Sequence, residues 1–322
     1  MRGFFAALAL ALFVTVAAGA EESWAPDKLD ERRALPNVTT PPERLEPLTT
    51  LPPLSGDEGI IRSVALPDGA GNVVALTFDL CELDTVTTGC DMEVLDFLRR
   101  EGVPATLFMG GKWMRTHARR VKQLMACPLF EIGNHAWSHG NYALLSVEGR
   151  RNQALWTQAQ YELLREEVLG ENPALEIPPV PRLFRFPYAR SSEAALRALA
   201  GMGFRIVLWD VAAEAGDNRN PTRARHSAQR VADQTRPGSI LLFHANRVPR
   251  GTSQLVKEVV AALKGRGYRF VTAGDLLEMG KPRTVREGYF THPGDNLALD
   301  KKFGVDGTGR GRASRSPRSK RK

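Results

Sequence analysis

Six side chains able to hold a metal ion or move a proton stand at or just after short apolar runs: Asp79, Glu82, His135, His139, Arg185 and His244. Asp79 and Glu82 close the run Val73-Val74-Ala75-Leu76-Thr77-Phe78, and His135 and His139 follow Leu129 to Ile132 across Gly133-Asn134. Arg185 opens the segment Arg185-Phe186-Pro187-Tyr188, and His244 closes Leu241-Leu242-Phe243. His135 and His139 are four residues apart, so one helical turn would bring both rings to one face, where they could share a single cation. An isolated acid after a strand is more often a helix cap, and an isolated late histidine a half-buried structural residue. The case for a site rests on their coming together.

Whether they meet depends on the elements that carry them. Apolar runs read as strands at 73–78, 105–109 and 129–132, then near 183–186, 204–209, 239–243 and 268–272, by length and β-branched content. Helical periodicity appears over 91–101, 115–126 and 148–169, and near 191–202, 221–235, 252–264 and 273–279. Strand and helix thus alternate about seven times, which predicts an α/β fold with a parallel sheet and crossover helices, either a barrel or a doubly wound sheet. In both, chemistry gathers at the carboxyl ends of the strands, where these side chains stand.

The rest of the chain reads as appendage. Arg2, the apolar run Phe4 to Ala18 and the small residues Ala18-Gly19-Ala20 have the form of a signal peptide over residues 1–20. Fifteen residues of helix rise about 22 Å, short of a bilayer core of roughly 30 Å, so the segment is not expected to remain as a transmembrane anchor. Export to a periplasm or the medium is expected, where chemistry dependent on cytosolic ATP or NADH is not. Residues 21–70 are proline-rich and read as extended chain beside a single domain at 71–280, with 281–300 loop-like. The net charge of +8 is local: residues 301–322 hold nine Lys/Arg and one acid, Asp306, and the remaining 35 basic and 35 acidic side chains cancel. The tail from Gly307 is expected to be disordered. It reads as a solvated end or as an adhesion point for an anionic envelope polymer, with nucleic acid not expected after export.

The ordered segments resemble those of the NodB-homology polysaccharide deacetylases, carbohydrate esterase family 4, over about residues 72–279. The matching motifs are Thr77-Phe78-Asp79-Leu80-Cys81, His135-Ala136-Trp137-Ser138-His139, Arg185-Phe186-Pro187-Tyr188, Trp209-Asp210 in part, and Leu242-Phe243-His244. The resemblance implies a distorted (β/α)7-type barrel and metal-dependent removal of N-acetyl groups from an N-acetylglucosamine-containing glycan such as peptidoglycan, poly-N-acetylglucosamine or a chitin oligosaccharide. It implies Asp79 as base, Arg185 as the group that keeps Asp79 charged, and His244 as proton donor to the leaving amine. His135 and His139 become metal ligands, with zinc the expected ion, and a backbone N–H near Tyr188 shares the oxyanion. Pro187, Tyr188, Trp137 and Trp209 become candidates for the apolar floor beneath a sugar ring.

The departures bear on the metal. Where the family carries a second, ligating aspartate, this chain has Leu80. Glu82 is the first candidate to replace it, with Asp79 itself or Cys81 as alternatives. The acid expected after Trp209-Asp210 is Ala212, leaving Glu214 or Asp217 as a charge partner for Arg185. Cys81 and Cys90 could form a disulfide after export, while Cys127 reads as buried and inert. An alternative function is a catalytically impaired glycan-binding protein that lost its ion with the second aspartate.

Overall fold

The computed structural model describes Trp24 and residues 35–55, 59–214 and 218–307. The expected signal peptide and all but the first seven residues of the basic C-terminal stretch therefore lie outside the described residues. The organising strand is β2 (Val73–Leu80), buried along its whole length. A continuous apolar run of this kind is what a parallel strand covered on both faces requires. Its two-residue period splits it between two apolar clusters. Val74, Leu76, Phe78 and Leu80 join one with Leu95, Leu98, Val256 and Val259. Val73 and Ala75 join the other with Phe108, Phe184 and Trp209. By the same period Asp79 shares a face with Ala75 and Thr77, opposite to Leu80.

Further strands are β1 (Ile60–Ala65), β3 (Ala105–Met109), β4 (Phe130–Asn134), β5 (Leu183–Phe184), β6 (Arg205–Val207), β7 (Val211–Ala212), β8 (Ile240–His244), β9 (Arg269–Val271) and β10 (Lys281–Val285). They form one sheet in the order β10-β1-β6-β5-β4-β3-β2-β8-β7, with β9 paired to the start of β2. All pairs are parallel except β1 with β10. The sheet curls into a half-barrel whose flanks approach where Ser63 bridges Ser239 and Val64 N–H donates to the Gly238 carbonyl at 2.9 Å. The α/β class, the parallel pairing and the single catalytic domain agree with the sequence reading.

Crossover helices are α1 (Met92–Arg100), α2 (Gly111–Thr116), α3 (Ala118–Met125), α4 (Val147–Glu171), α5 (Glu193–Gly201), α6 (Pro221–Gln234), α7 (Thr252–Gly265) and α8 (Ala273–Glu278), followed by α9 (Ala298–Phe303). Side-chain caps mark several starts: Ser146 accepts from Gly149 N–H, Ser192 from Ala195, Asn220 from Thr222 and Arg223, and Thr272 from Asp275. Among the described residues, no helix is long and apolar enough to cross a membrane.

Three readings of elements need correction. Residues 115–126 are not one helix, because the chain bends at His117 (φ −111°, ψ 32°) between α2 and α3. The sheet begins at Ile60, inside the stretch read as proline-rich extension, and continues through Lys281–Val285, read as loop. The polar β10, with Pro282, forms the outer edge of the sheet, the position where proline is tolerated in a strand. Residues 35–55 do run without helix or strand. They lie against α4, where Leu48 and Thr49 N–H groups donate to Glu162 at 2.6 and 2.9 Å and Arg44 pairs with Glu166 at 2.7 Å.

Candidate active site

Parallel register sets three side chains side by side: Asp79 on β2 lies opposite Phe108 on β3 and His244 on β8. Arg185, just beyond β5, is fully buried and donates Nη1 to Asp79 Oδ1 at 2.9 Å. Its other nitrogens bond the carbonyls of Val207 and Leu208, both at 3.1 Å. Beneath it lies the Phe108 ring, 3.9 Å from the guanidinium carbon. That ring has room because residue 133 is glycine: a Cβ there would meet Phe108 at 2.6 Å. A small residue on β4 thus sets the depth of Phe108, and through it the height of Arg185 under Asp79.

Asp79 faces His135, Oδ2 to Nε2 3.4 Å. Burial pushes the Asp79 carboxyl up, but the neighbouring His135, the Arg185 charge and hydrogen bond, and His244 outweigh it, so the group is held below its ordinary value. His135 sits at Nδ1 2.9 Å from the Arg185 carbonyl. A carbonyl only accepts, so Nδ1 carries the proton and Nε2 presents a lone pair. The two histidine rings meet edge to face at 4.9 Å between centroids. They do so from a loop and not from a helical turn: Ala136 and His139 both have positive φ, 65° and 59°. His135 Nε2 and His139 Nδ1 are buried with no hydrogen-bond partner. Burial pushes both rings toward the neutral form. Two neighbouring, neutral imidazoles, each with a buried nitrogen lacking a hydrogen-bond partner, fit a divalent cation. Cys81, His135 and His139 form a group whose ligand atoms, one from each residue, lie within 4.8 Å of one another.

Across the site, His244 Nδ1 lies 2.5 Å from Glu214 Oε2, and Thr252 hydroxyl donates to the other carboxylate oxygen. Burial would lower the His244 pKa, but the charge and hydrogen bond of Glu214 reverse this and the net shift is upward. Sequence reasoning offered Glu214 as a partner for Arg185. The structure gives Arg185 to Asp79 and Glu214 to His244. Asp217 lies outside the described residues, and Asp210 is structural, accepting from Ser239 Oγ and Ile240 N–H at 2.8 Å each.

Other expected positions are met only in part. Glu82 is not beside the histidines. Its carboxylate is almost fully buried, accepting from Lys112 Nζ (3.0 Å), Thr116 Oγ1 (2.8 Å) and Thr88 N–H (3.0 Å), with His117 Nε2 at 3.6 Å. Trp137 is 2% exposed, packed on Trp156 and under Arg115. Trp209 is equally buried, donates its indole N–H to the Phe290 carbonyl at 3.1 Å and lies beside Arg185. Neither is an open floor for a sugar. Pro187 is buried too, and starts a turn in which Tyr188 adopts φ 57°. Tyr188 does border the site: its ring meets His139 edge-on at 4.3 Å and stacks on Phe303 at 4.8 Å. Phe303, from the C-terminal segment, escaped the sequence reading because nothing in its surroundings signals a site. Cys81, Cys90 and Cys127 are not joined by disulfides, so the Cys81–Cys90 bridge does not form here. Cys127 is only half-buried.

Comparison with known proteins agrees with this fold. The family model for polysaccharide deacetylases matches residues 67–207. A peptidoglycan-N-acetylglucosamine deacetylase of Bacillus cereus is 30% identical over 206 residues, covering 64% of this chain and 88% of that protein. A chitin deacetylase of Pestalotiopsis sp is 27% identical over 208 residues, 64% of each chain. Among solved structures, the Bc1960 peptidoglycan N-acetylglucosamine deacetylase superposes with a TM-score of 0.56 at 26% identity, covering 69% of this chain and 94% of that one. The chain is a member of the NodB-homology polysaccharide deacetylase family, carbohydrate esterase family 4.

Proposed function

We propose that this polysaccharide deacetylase removes N-acetyl groups from an N-acetylglucosamine-containing glycan, with peptidoglycan-type chains the first substrate to test. The observation that carries the reading is the convergence of Asp79–Arg185, the two unpartnered histidine nitrogens and the His244–Glu214 pair at one rim of the sheet. A glycan-binding protein has no need of a clamped acid and a carboxylate-backed histidine facing each other. The peptidoglycan and chitin deacetylases named above support the glycan class.

His135 and His139 would hold a divalent ion, zinc being the expected one. Bound there, such an ion supplies Lewis acidity to an acetamide carbonyl and lowers the pKa of water toward about 7. The chain's own groups do the rest. Asp79, kept ionised by Arg185, accepts the proton of the attacking water. A backbone N–H near Tyr188 shares the charge that develops on the carbonyl oxygen. His244, oriented by Glu214, donates a proton to the sugar nitrogen as the C–N bond breaks, giving acetate and a free amine. Such a polymer lies outside the cytoplasm, in keeping with the leader-like first twenty residues.

The test is incubation of the metal-loaded protein with N-acetylated peptidoglycan fragments, poly-N-acetylglucosamine and chitin oligosaccharides. Acetate release with stepwise loss of acetyl mass is expected, abolished by chelation and restored by Zn2+. Glycan binding with no acetate from any substrate would replace the enzyme with the impaired binding protein.

A further inference from the structure

We infer that Cys81 is a metal ligand, so that this chain builds its centre from one sulfur and two nitrogens, Cys81–His135–His139, in place of a carboxylate. The inference rests on the deacetylase reading of the same site. The position where the family carries its ligating aspartate is Leu80, and the strand period turns that side chain into the cluster formed with α1 and α7. Glu82 is fully engaged by Lys112, Thr116 and Thr88. Asp79 is held by Arg185. Of the groups on this stretch that can carry negative charge, Cys81 is the one whose ligand atom lies within 4.8 Å of those of both histidines.

Burial and the charges of Asp79 and Glu82 push the Cys81 thiol up, so the thiolate needs a bound cation beside it, while the local hydrogen bonds fix where the sulfur stands. Asn246 Nδ2 donates to the Cys81 carbonyl at 3.0 Å and lies 3.6 Å from Sγ. Thr88 Oγ1 donates to the same carbonyl at 2.8 Å. The backbone at Cys81 is therefore pinned from two sides, and the sulfur has an N–H facing it, the type of outer contact that orients a ligand. Cys90, the other half of the expected disulfide, instead directs its thiol to Met92 Sδ at 3.4 Å, which leaves Cys81 available. On binding, the Cys81 thiol loses its proton to solvent, since the thiolate is the ligand. A sulfur–nitrogen–nitrogen set favours Zn2+ and Co2+ over Mg2+, Ca2+ and Mn2+. Three protein ligands leave a fourth position open, as in catalytic zinc sites.

Cobalt gives a test independent of activity. The full chain, stripped of metal and titrated with Co2+ alone, should develop a thiolate-to-cobalt charge-transfer band in the near ultraviolet at one equivalent. The band should be absent in Cys81→Ser and in Cys81→Asp, and retained in the Cys90→Ser control. Loss of a direct ligand should weaken Zn2+ binding in Cys81→Ser by at least the roughly 10- to 100-fold typical of outer-contact changes. Cys81→Asp, which restores a carboxylate, guards against a merely unfolded serine variant by binding Co2+ without the band. Co2+ binding to the native chain with no such band, or no Co2+ binding at all, overturns the inference. A band with no acetate released from any glycan would uphold the metal centre and remove the deacetylase reading, so the two failures are distinguishable.

Discussion

Asp79 and Glu82 stand three residues apart, both buried, both held by a cation, yet they occupy different worlds. Asp79 lies near the end of a strand on its inward face, shares its arginine with two backbone carbonyls and itself faces His135. Glu82 has turned behind the rim, where α2 presents Lys112 and Thr116 one helical turn apart and the bend between α2 and α3 presents His117. For Glu82 as for Asp79, burial pushes the carboxyl up and its partners more than compensate, here hydrogen bonds from His117, Thr88, Lys112 and Thr116. The difference lies in what remains. Asp79 looks onto the unpartnered His135 Nε2 and, across the rim, His244. Glu82 looks onto nothing but its own donors. A buried ion pair marks chemistry only where one of its members keeps an unfilled side.

That contrast can be attacked through variants of decreasing effect. Glu82→Ala strands Lys112, which is fully buried, and breaking such a pair costs about 3–5 kcal/mol. The melting temperature should fall on the order of 10 °C, while acetate release per folded molecule, measured well below the transition, stays within a few-fold of native. A smaller effect is expected on the other flank of the site. Glu214→Gln removes the charge that raises the His244 pKa. In the proposed mechanism His244 donates only while protonated, so activity should be lost as pH rises through its pKa. Lowering that pKa should move the alkaline limb of the pH–rate profile to lower pH and reduce the maximal rate by about 10- to 100-fold, less than the roughly 10²- to 10⁴-fold that losing a general acid outright would cost. An unmoved limb would detach His244 from the proton transfer. The smallest effect belongs to Trp209→Phe. Losing the hydrogen bond to Phe290 costs about 1 kcal/mol of stability, with KM for glycan unchanged, because the ring is sealed beneath Arg185. A large rise in KM would restore it to the sugar-binding surface.

Much of this was legible in the residues. The apolar runs at 73–78, 105–109 and 239–243 appear as β2, β3 and β8 within two residues of the expected ends, because buried parallel strands carry a dense apolar signal. The motif residues Asp79, His135, His139, Arg185 and His244 come together because each follows such a strand. What the sequence could not carry is direction after a strand ends. Glu82 and Cys81 are neighbours, and only the turn decides which of them faces the histidines. Pairing across long separations was equally hidden: Glu214 and His244 are 30 residues apart, and β1 with β10 joins residues read as extension to residues read as loop. β10 is an edge strand of polar residues and a proline, without the alternation that announces a strand.

The central claim is that Asp79, not Glu82, is the acid that works. Initial rates of acetate release from one N-acetylated glycan, compared for Asp79→Asn and Glu82→Gln at a temperature where both are folded, test it directly. The account predicts a loss of about 10²- to 10⁴-fold for Asp79→Asn and a rate within a few-fold of native for Glu82→Gln. The reverse pattern, an active Asp79→Asn beside an inactive Glu82→Gln, would contradict it.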